Sequence, residues 1–138
     1  MLMHTRPLLT QIPLLPRPRC VRRLDGVHSR SAAVASDAAS AWPVEIIIDS
    51  SRGPQAYRLV ITPEAIRIEA GDAAGAFYGR MTLRQLARFC PDALPCGEIE
   101  DAPDIPIRGV MLDISRDKVP TLDTLFMLVD MLAEWKVN

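Results

Sequence analysis

The sequence predicts a mixed α+β domain up to about residue 102, followed by one strand–loop–helix unit. Three patterns support this prediction. Residues 57–69 alternate apolar and polar side chains around a Thr-Pro turn, as a β-hairpin does. Residues 73–90 repeat apolar side chains at helical spacing. Residues 107–136 form an apolar run, a charged loop and a second helical pattern, which is the unit of a parallel α/β fold.

The amino-acid composition and net charge limit the partners and cofactors that we expect for this chain. The chain has 138 residues, 49% hydrophobic and 24% charged, which suffices for one domain with a core. Its formal net charge of −1 provides no basic field, so we expect neither nucleic acid nor a membrane surface as a partner. The cysteines Cys20, Cys90 and Cys96 include no CxxC pair, which predicts reduced thiols and no metal site or other cofactor.

The first residues show no targeting or spanning signal. Four prolines within residues 1–20 interrupt any helical signal core, and no small-residue cleavage site follows an apolar stretch. A membrane-spanning run of about 18 apolar residues does not occur. We therefore expect a cytoplasmic protein whose residues 1–12 are disordered or extended.

The secondary-structure elements of the first half are predicted with different strengths of sequence pattern. Residues 26–42 are small and polar and fit either a loop or a weak helix. Residues 44–48 predict a strand, and the hairpin of residues 57–69 follows, with Pro63 set for its turn. Asp72 is placed to cap the helix that begins after Gly71.

Two patterns on this helix allow different interpretations. Arg80, Arg84 and Arg88 recur every four residues, which fits a phosphate-binding ridge or, as we favour, a solvated face. Gly75 and Gly79 form a GxxxG spacing, which we interpret as allowing close packing of the helix on a sheet.

The last third begins with an acidic, proline-punctuated stretch at 96–106, which is a candidate domain boundary. A strand is predicted over 107–114. A helix begins near Pro120 and Thr121 and continues to residue 136. Its broad apolar stripe predicts a heavily buried helix. One such unit cannot bury itself, so this third resembles the start of a larger assembly.

Three stretches together resemble a known family: "GAFYGRMTLRQL", "LPCGEIEDAPDIPIRGVMLDISRD" and "LVDMLAEWKVN". In order and spacing they are similar to the β-N-acetylhexosaminidases of glycoside hydrolase family 20. The resemblance implies that residues 13–102 form the non-catalytic α+β domain, with helices on one face of a sheet. It implies that residues 103–138 are the first strand and helix of a truncated (β/α)8 barrel, the incomplete catalytic domain.

The resemblance also implies site residues. In the family, the arginine of the D-x-S-R motif hydrogen-bonds hydroxyls of the terminal sugar, and here that position is Arg116. Residues 114–120 would form a loop at the carboxyl end of a barrel strand, where such active sites lie. Asp113 is expected to support Arg116. Asp117 departs from the family pattern and would place a carboxylate beside Arg116. Arg108, at the other end of the strand, is expected to be structural.

The implied reaction is removal of terminal N-acetyl-hexosamine from an amino-sugar glycoside by substrate-assisted retaining hydrolysis. The family's Asp-Glu pair lies on a later barrel strand, and the acidic residues at 98–101 precede the first one. No catalytic residue is therefore assigned, and we expect the chain alone to be inactive. The alternative is a non-catalytic module that docks a partner through residues 107–138. The sequence does not predict an oligomeric state.

Overall fold

The computed structural model describes residues 8–30, 42–116 and 118–138. Its centre is one five-stranded mixed sheet in the order β1-β5-β3-β4-β2. The elements are β1 (Cys20–Ser29), β2 (Glu45–Ile48), β3 (Tyr57–Ile61), β4 (Ile66–Ala70), α1 (Ala73–Phe89), β5 (Ala93–Asp101) and α2 (Leu122–Glu134), with short 3-10 turns at Leu9–Gln11 and Ser50–Arg52.

The predicted hairpin is confirmed. Strands β3 and β4 pair antiparallel, with Leu59 opposite Ile68, and both side chains are fully buried. The Thr62 N–H donates to the Ala65 carbonyl at 2.9 Å and closes the turn. Strand β2 is also present where it was predicted, and it pairs with β4 in parallel at the edge of the sheet. Alternation was a sufficient signal for the hairpin, and a short apolar run closed by polar residues was sufficient for β2.

Helix α1 packs across β3 and β4 and covers one face of the sheet. The Asp72 side chain caps it by accepting a hydrogen bond from the Gly75 N–H at 2.7 Å, as predicted. Gly79 lies against Ile68 and Tyr57, which confirms that the glycine spacing serves close packing. The buried side chains between helix and sheet form the core, which includes Leu59, Ile61, Ile66, Ile68, Tyr78, Leu83, Leu86 and Ile99.

The acidic residues 98–101, expected in a linker, instead belong to β5. This strand lies between β1 and β3, in the interior of the sheet. Glu98 and Glu100 lie on one face of this strand, where Arg58 pairs with Glu98 at 2.7 Å and contacts Glu100 at 3.4 Å. Pro95 is tolerated because it lies opposite Val27, where β1 contains an irregularity in register.

The amino-terminal expectation needs correction within the described residues. Residues 8–12 are neither disordered nor simply extended, because a 3-10 turn forms at Leu9–Gln11 and both Leu9 and Ile12 are buried. Strand β1, which was not predicted, includes residues 26–29 of the undecided segment 26–42. Residues 1–7 and 31–41 lie outside the described residues.

The strand predicted over residues 107–114 is not formed. These residues have no regular secondary structure, and Met111 is 97% exposed. A parallel strand requires a neighbour in its own sheet. Among the described residues, every strand belongs to the sheet of the preceding domain, so this segment has nothing to pair with.

Helix α2 begins as predicted, with Thr121 at its cap accepting from the Thr124 N–H at 3.3 Å. The expectation of heavy burial is wrong, because Phe126 is 64% and Val129 is 61% exposed. The apolar stripe exists, but the described elements cover it only in part: Leu125, Leu128 and Leu132 are half-buried, and the rest of the stripe is exposed. None of the helices in the described part of the chain is long and apolar enough to cross a membrane.

Candidate functional site

The charged loop after residue 112 is built around the Asp113 carboxylate. Its Oδ1 accepts hydrogen bonds from the Ser115 N–H at 2.8 Å and from the Ser115 hydroxyl at 2.5 Å. These two hydrogen bonds lower the pKa of the Asp113 carboxyl below its ordinary value. Asp113 is therefore ionised at neutral pH, with its charge held in a tight turn.

Arg116 lies beside this turn and faces solvent. Its Nε is 3.9 Å from the Asp113 Oδ2, a long contact for an ion pair, and its side chain is 87% exposed. The structure thus places Arg116 beside Asp113 and leaves most of the guanidinium in solvent. Asp117, the third residue expected here, lies outside the described residues.

An open groove of about 760 Å³ runs between this loop and α2. Asp113 and Lys118 supply its charged groups, and the remaining lining is mostly apolar: Leu112, Val119, Pro120, Thr124, Met127, Leu128 and Met131. A carboxylate and an ammonium at the edge of an apolar surface can bind a polyhydroxylated molecule through hydrogen bonds and packing.

Arg108 is oriented differently and is saturated by internal partners. Its guanidinium donates to the Ile105 carbonyl at 2.6 Å, to the Lys136 carbonyl at 2.9 Å and to the Tyr78 hydroxyl at 3.0 Å. It also donates to the Gln55 Oε1 at 3.0 Å. These contacts give Arg108 a structural role, as expected.

A buried polar cluster around Lys136 was missed by sequence reasoning. The Lys136 Nζ donates to the Asp101 Oδ2 at 2.9 Å and to the Tyr57 hydroxyl at 2.8 Å, and it lies 4.9 Å from the centre of the Tyr57 ring. The Tyr57 hydroxyl also bonds with the Thr82 hydroxyl at 2.7 Å. A lysine just after a helix is ordinarily a solvated partner of the helix dipole, so the sequence carried no signal for its burial.

Burial shifts the titration of this cluster. It lowers the pKa of Lys136, although the Asp101 carboxylate opposes that shift. Burial, together with the Asp101 charge, strongly raises the pKa of the Tyr57 hydroxyl. A cavity of about 270 Å³ lies beside the cluster, between Tyr57, Tyr78, Arg108 and Arg17.

Arg80 and Arg88 of α1 are both exposed, and Arg84 is half-buried. Arg88 Nη1 also pairs with Glu134 Oε1 at 2.5 Å and so connects α1 to the end of α2. Within residues 8–30, 42–116 and 118–138, no group of three or more His, Cys, Asp or Glu side chains is placed to hold a metal ion.

Comparison with known proteins places the chain in a family. The profile of glycosyl hydrolase family 20, domain 2, matches residues 17–102, more than half of the chain. A beta-hexosaminidase of Akkermansia muciniphila is 43% identical over 60% of the chain, and one of Vibrio vulnificus is 30% identical over 84% of it. The aligned regions cover only 17% and 14% of those two proteins, respectively.

Solved structures agree in fold. The beta-N-acetylhexosaminidase of Bacteroides fragilis superposes with a TM-score of 0.77 at 25% identity, covering 91% of this chain and 32% of that one. The exo-beta-N-acetylglucosaminidase of Vibrio harveyi, solved with N-acetylglucosamine, gives 0.76 at 27% identity, covering 92% and 24%. On the match to its domain 2 profile, supported by these relatives, the chain belongs to glycosyl hydrolase family 20.

Proposed function

We propose that this chain is the amino-terminal part of an enzyme that removes terminal N-acetyl-hexosamine residues from amino-sugar glycosides. One observation carries the proposal: after the domain 2 match of residues 17–102 come a segment with the D-x-S-R motif at residues 113–116 and then helix α2. Under this proposal, residues 13–102 are the non-catalytic domain. Residues 103–138 begin the (β/α)8 catalytic barrel and do not complete it.

In this enzyme Arg116 binds hydroxyl groups of the terminal sugar. Its exposure supports the role, because a guanidinium with free donors can form paired hydrogen bonds with two vicinal hydroxyl oxygens. Asp113 supports the loop through Ser115 and leaves most of the guanidinium available to the substrate. Asp117 stays a proposed modifier of sugar preference, since its carboxylate adjoins Arg116 in sequence.

The reaction proposed for the whole enzyme is retaining hydrolysis in which the acetamido oxygen of the substrate attacks the anomeric carbon. A general acid for this step requires a carboxyl that stays protonated near neutral pH. Asp113 does not meet this requirement, because its hydrogen bonds lower its pKa. The Asp-Glu pair of the family is expected on a later barrel strand, so the chain alone is proposed to be inactive.

An assay of the purified chain with a chromogenic N-acetylglucosaminide tests the inactivity. We expect no turnover above a buffer blank, and measurable turnover would contradict the proposal. The gene sequence downstream of Asn138 tests the larger enzyme. An in-frame continuation that encodes an adjacent Asp-Glu pair supports the proposal, and an immediate stop codon contradicts it.

A second candidate is a non-catalytic module that docks a partner through residues 107–138. It is favoured by the exposed apolar side chains of this segment, among them Met111 and Phe126. Size-exclusion chromatography distinguishes the two. A concentration-independent monomer counts against docking, whereas a discrete oligomer supports it.

A further inference from the structure

Residues 103–138, called the unit below, attach to the sheet domain, which consists of the five strands and α1. This attachment does not depend on the apolar stripe of α2. That stripe is mostly exposed along the middle of the helix. The contacts with the sheet domain are concentrated at its carboxyl end, where the Glu134 carbonyl accepts from Gln85 at 3.2 Å and the Glu134 carboxylate pairs with Arg88. The attachment is therefore polar and confined to one end of the unit.

Lys136 is the most buried of the described residues within 103–138, with 5% of the residue exposed. Its ammonium enters the sheet domain and reaches Asp101, at the end of β5, and Tyr57, at the start of β3. An ammonium removed from water is costly unless it is paired and hydrogen-bonded, and here both conditions are met.

The backbone conformation at Lys136 indicates that ending α2 does not require a lysine side chain. The Lys136 N–H donates to the Ala133 carbonyl and the Val137 N–H to the Leu132 carbonyl, which together form a Schellman turn. Lys136 occupies the left-handed position of that turn, with φ of 60°. Glycine is the residue that adopts this conformation without cost, so the helix end by itself would favour glycine over lysine.

Asn138 and Arg108 join the two ends of the unit through reciprocal hydrogen bonds, and we call this part the base of the unit. The Asn138 N–H donates to the Arg108 carbonyl at 2.9 Å, and the Arg108 N–H donates to the Asn138 Oδ1 at 2.8 Å. The Arg108 guanidinium then reaches Gln55 and Tyr78 on the sheet domain. The start of the segment that leads to Arg116 is thereby tied to the segment that follows α2.

We propose that Gln55, Tyr57, Tyr78 and Asp101 form a docking surface on the sheet domain whose partner is the base of the unit, Arg108 with residues 134–138. Lys136 is its positioning residue. The surface recognises an ammonium and a guanidinium through carboxylate, phenol and amide oxygens. It holds the unit in place while the apolar face of α2 stays open. That the docking also sets the position of Arg116 for sugar binding rests on the proposed function; the docking itself does not.

Hydrogen exchange of the full chain tests the proposal with Lys136→Gly and Lys136→Met. We expect exchange of the α2, Arg108 and Asn138 amides to speed up at least about tenfold in both variants, with the β3 and β4 amides unchanged. Lys118→Met is the matched control, because Lys118 is the other lysine of the chain and is exposed. It should leave all of these rates unchanged.

Lys136→Gly is the decisive variant, because the two explanations predict opposite signs. If Lys136 only ended the helix, glycine would slow exchange in α2, and that result would overturn the proposal. Equal acceleration in β3 and β4 would overturn it as well, since the effect would then be global. The docking surface has its own check in Asp101→Asn, which should reproduce the pattern of Lys136→Met and add little when combined with it.

Amine labelling of the unmodified chain provides a measurement that does not depend on any variant folding. Under reductive methylation, Lys118 should react at least about a hundredfold faster than Lys136, and a variant that speeds exchange of the α2 amides, such as Asp101→Asn, should speed labelling of Lys136 as well. Equal labelling of the two lysines would overturn the docking proposal. Neither experiment reads glycosidase activity, so the docking proposal can fail independently of the proposed function.

Discussion

The backbone of Gly79 lies directly against the side chain of Ile68. A Cβ placed on Gly79 would be 2.8 Å from the Ile68 Cγ2 and 3.2 Å from the Tyr57 Cδ2. The first contact is too short for a methyl group unless Ile68 shifts, and the second is tight. The absence of a side chain at Gly79 therefore allows α1 to approach the sheet closely.

Gly79→Ala should lower the free energy of unfolding by about 1 kcal/mol, because overpacking outweighs the gain in helix propensity. Gly75→Ala should cost more, since the obstacle there is the Ala56 backbone carbonyl, which cannot rotate away. Arg80→Ala, on the exposed face of α1, should change stability by less than about 0.5 kcal/mol. Urea unfolding measures all three, and a stabilised Gly79→Ala variant would contradict the packing argument.

Arg58→Met should destabilise the chain by about 1–3 kcal/mol, because Glu69, Glu98 and Glu100 would lose their shared cation. The exposed pair Arg67–Glu45 provides the control, and Arg67→Met should cost less than about 1 kcal/mol. Added salt should reduce the loss in Arg58→Met, since it screens the repulsion among the remaining carboxylates. Equal losses in the two variants, measured by denaturant unfolding, would exclude a special role for Arg58.

Tyr57 should stay protonated at pH values where an exposed tyrosine ionises. Its folded-state pKa is raised, so the stability that its neutral hydroxyl contributes is complete below about pH 10 and is lost as pH rises further. In Tyr78→Phe, Tyr57 is the sole tyrosine, and its phenolate absorbance should appear only when the far-ultraviolet circular dichroism signal is lost. Ionisation well before unfolding would show that the Tyr57 hydroxyl is not buried as described.

Asp113 should titrate below its ordinary pKa, and Ser115→Ala should move its pKa part of the way back. The recovery is partial because the Ser115 N–H still donates to the carboxylate. Since the folded-state pKa of Asp113 is lowered, its ionised carboxylate stabilises the turn fully at pH values above the ordinary pKa. This stabilisation is lost as the pH falls through the folded-state pKa. Carbon NMR of the Asp113 carboxyl measures the shift. An unchanged pKa in Ser115→Ala would refute the role of the hydroxyl.

The elements that could be predicted are those whose evidence is local. The hairpin of β3 and β4 shows alternation within five residues a strand, and α1 carries its own cap at Asp72. Strand β1 lacks such a signal, because as an edge strand it exposes charged residues such as Arg22 and Arg23. Strand β5 was not predicted because Glu98 and Glu100 are neutralised by Arg58, which lies on another strand and forty residues away from Glu98 in sequence.

The candidate site also combines features with local sequence evidence and features that depend on distant residues. Arg116 and Asp113 were selected because the D-x-S-R motif resembles that of a known family, and the contact of Arg116 with sugar stays a prediction. The stripe of α2 correctly predicted a helix with one apolar face, but periodicity does not reveal what covers that face. The burial of Lys136 depends on Asp101 and Tyr57, which are brought together only by the pairing of β3 with β5.

The position of β5 determines the order in which the strands can pair while the chain is being synthesised. Among the described strands, β1 pairs with β5 alone, and β5 is the last strand of the sheet to be made. As the chain emerges from a ribosome, β3, β4 and β2 can associate early, while β1 must wait for residues 93–101. Asp101 completes that strand and also binds Lys136. The residue that finishes the sheet is thus available just before the unit that attaches to it is translated.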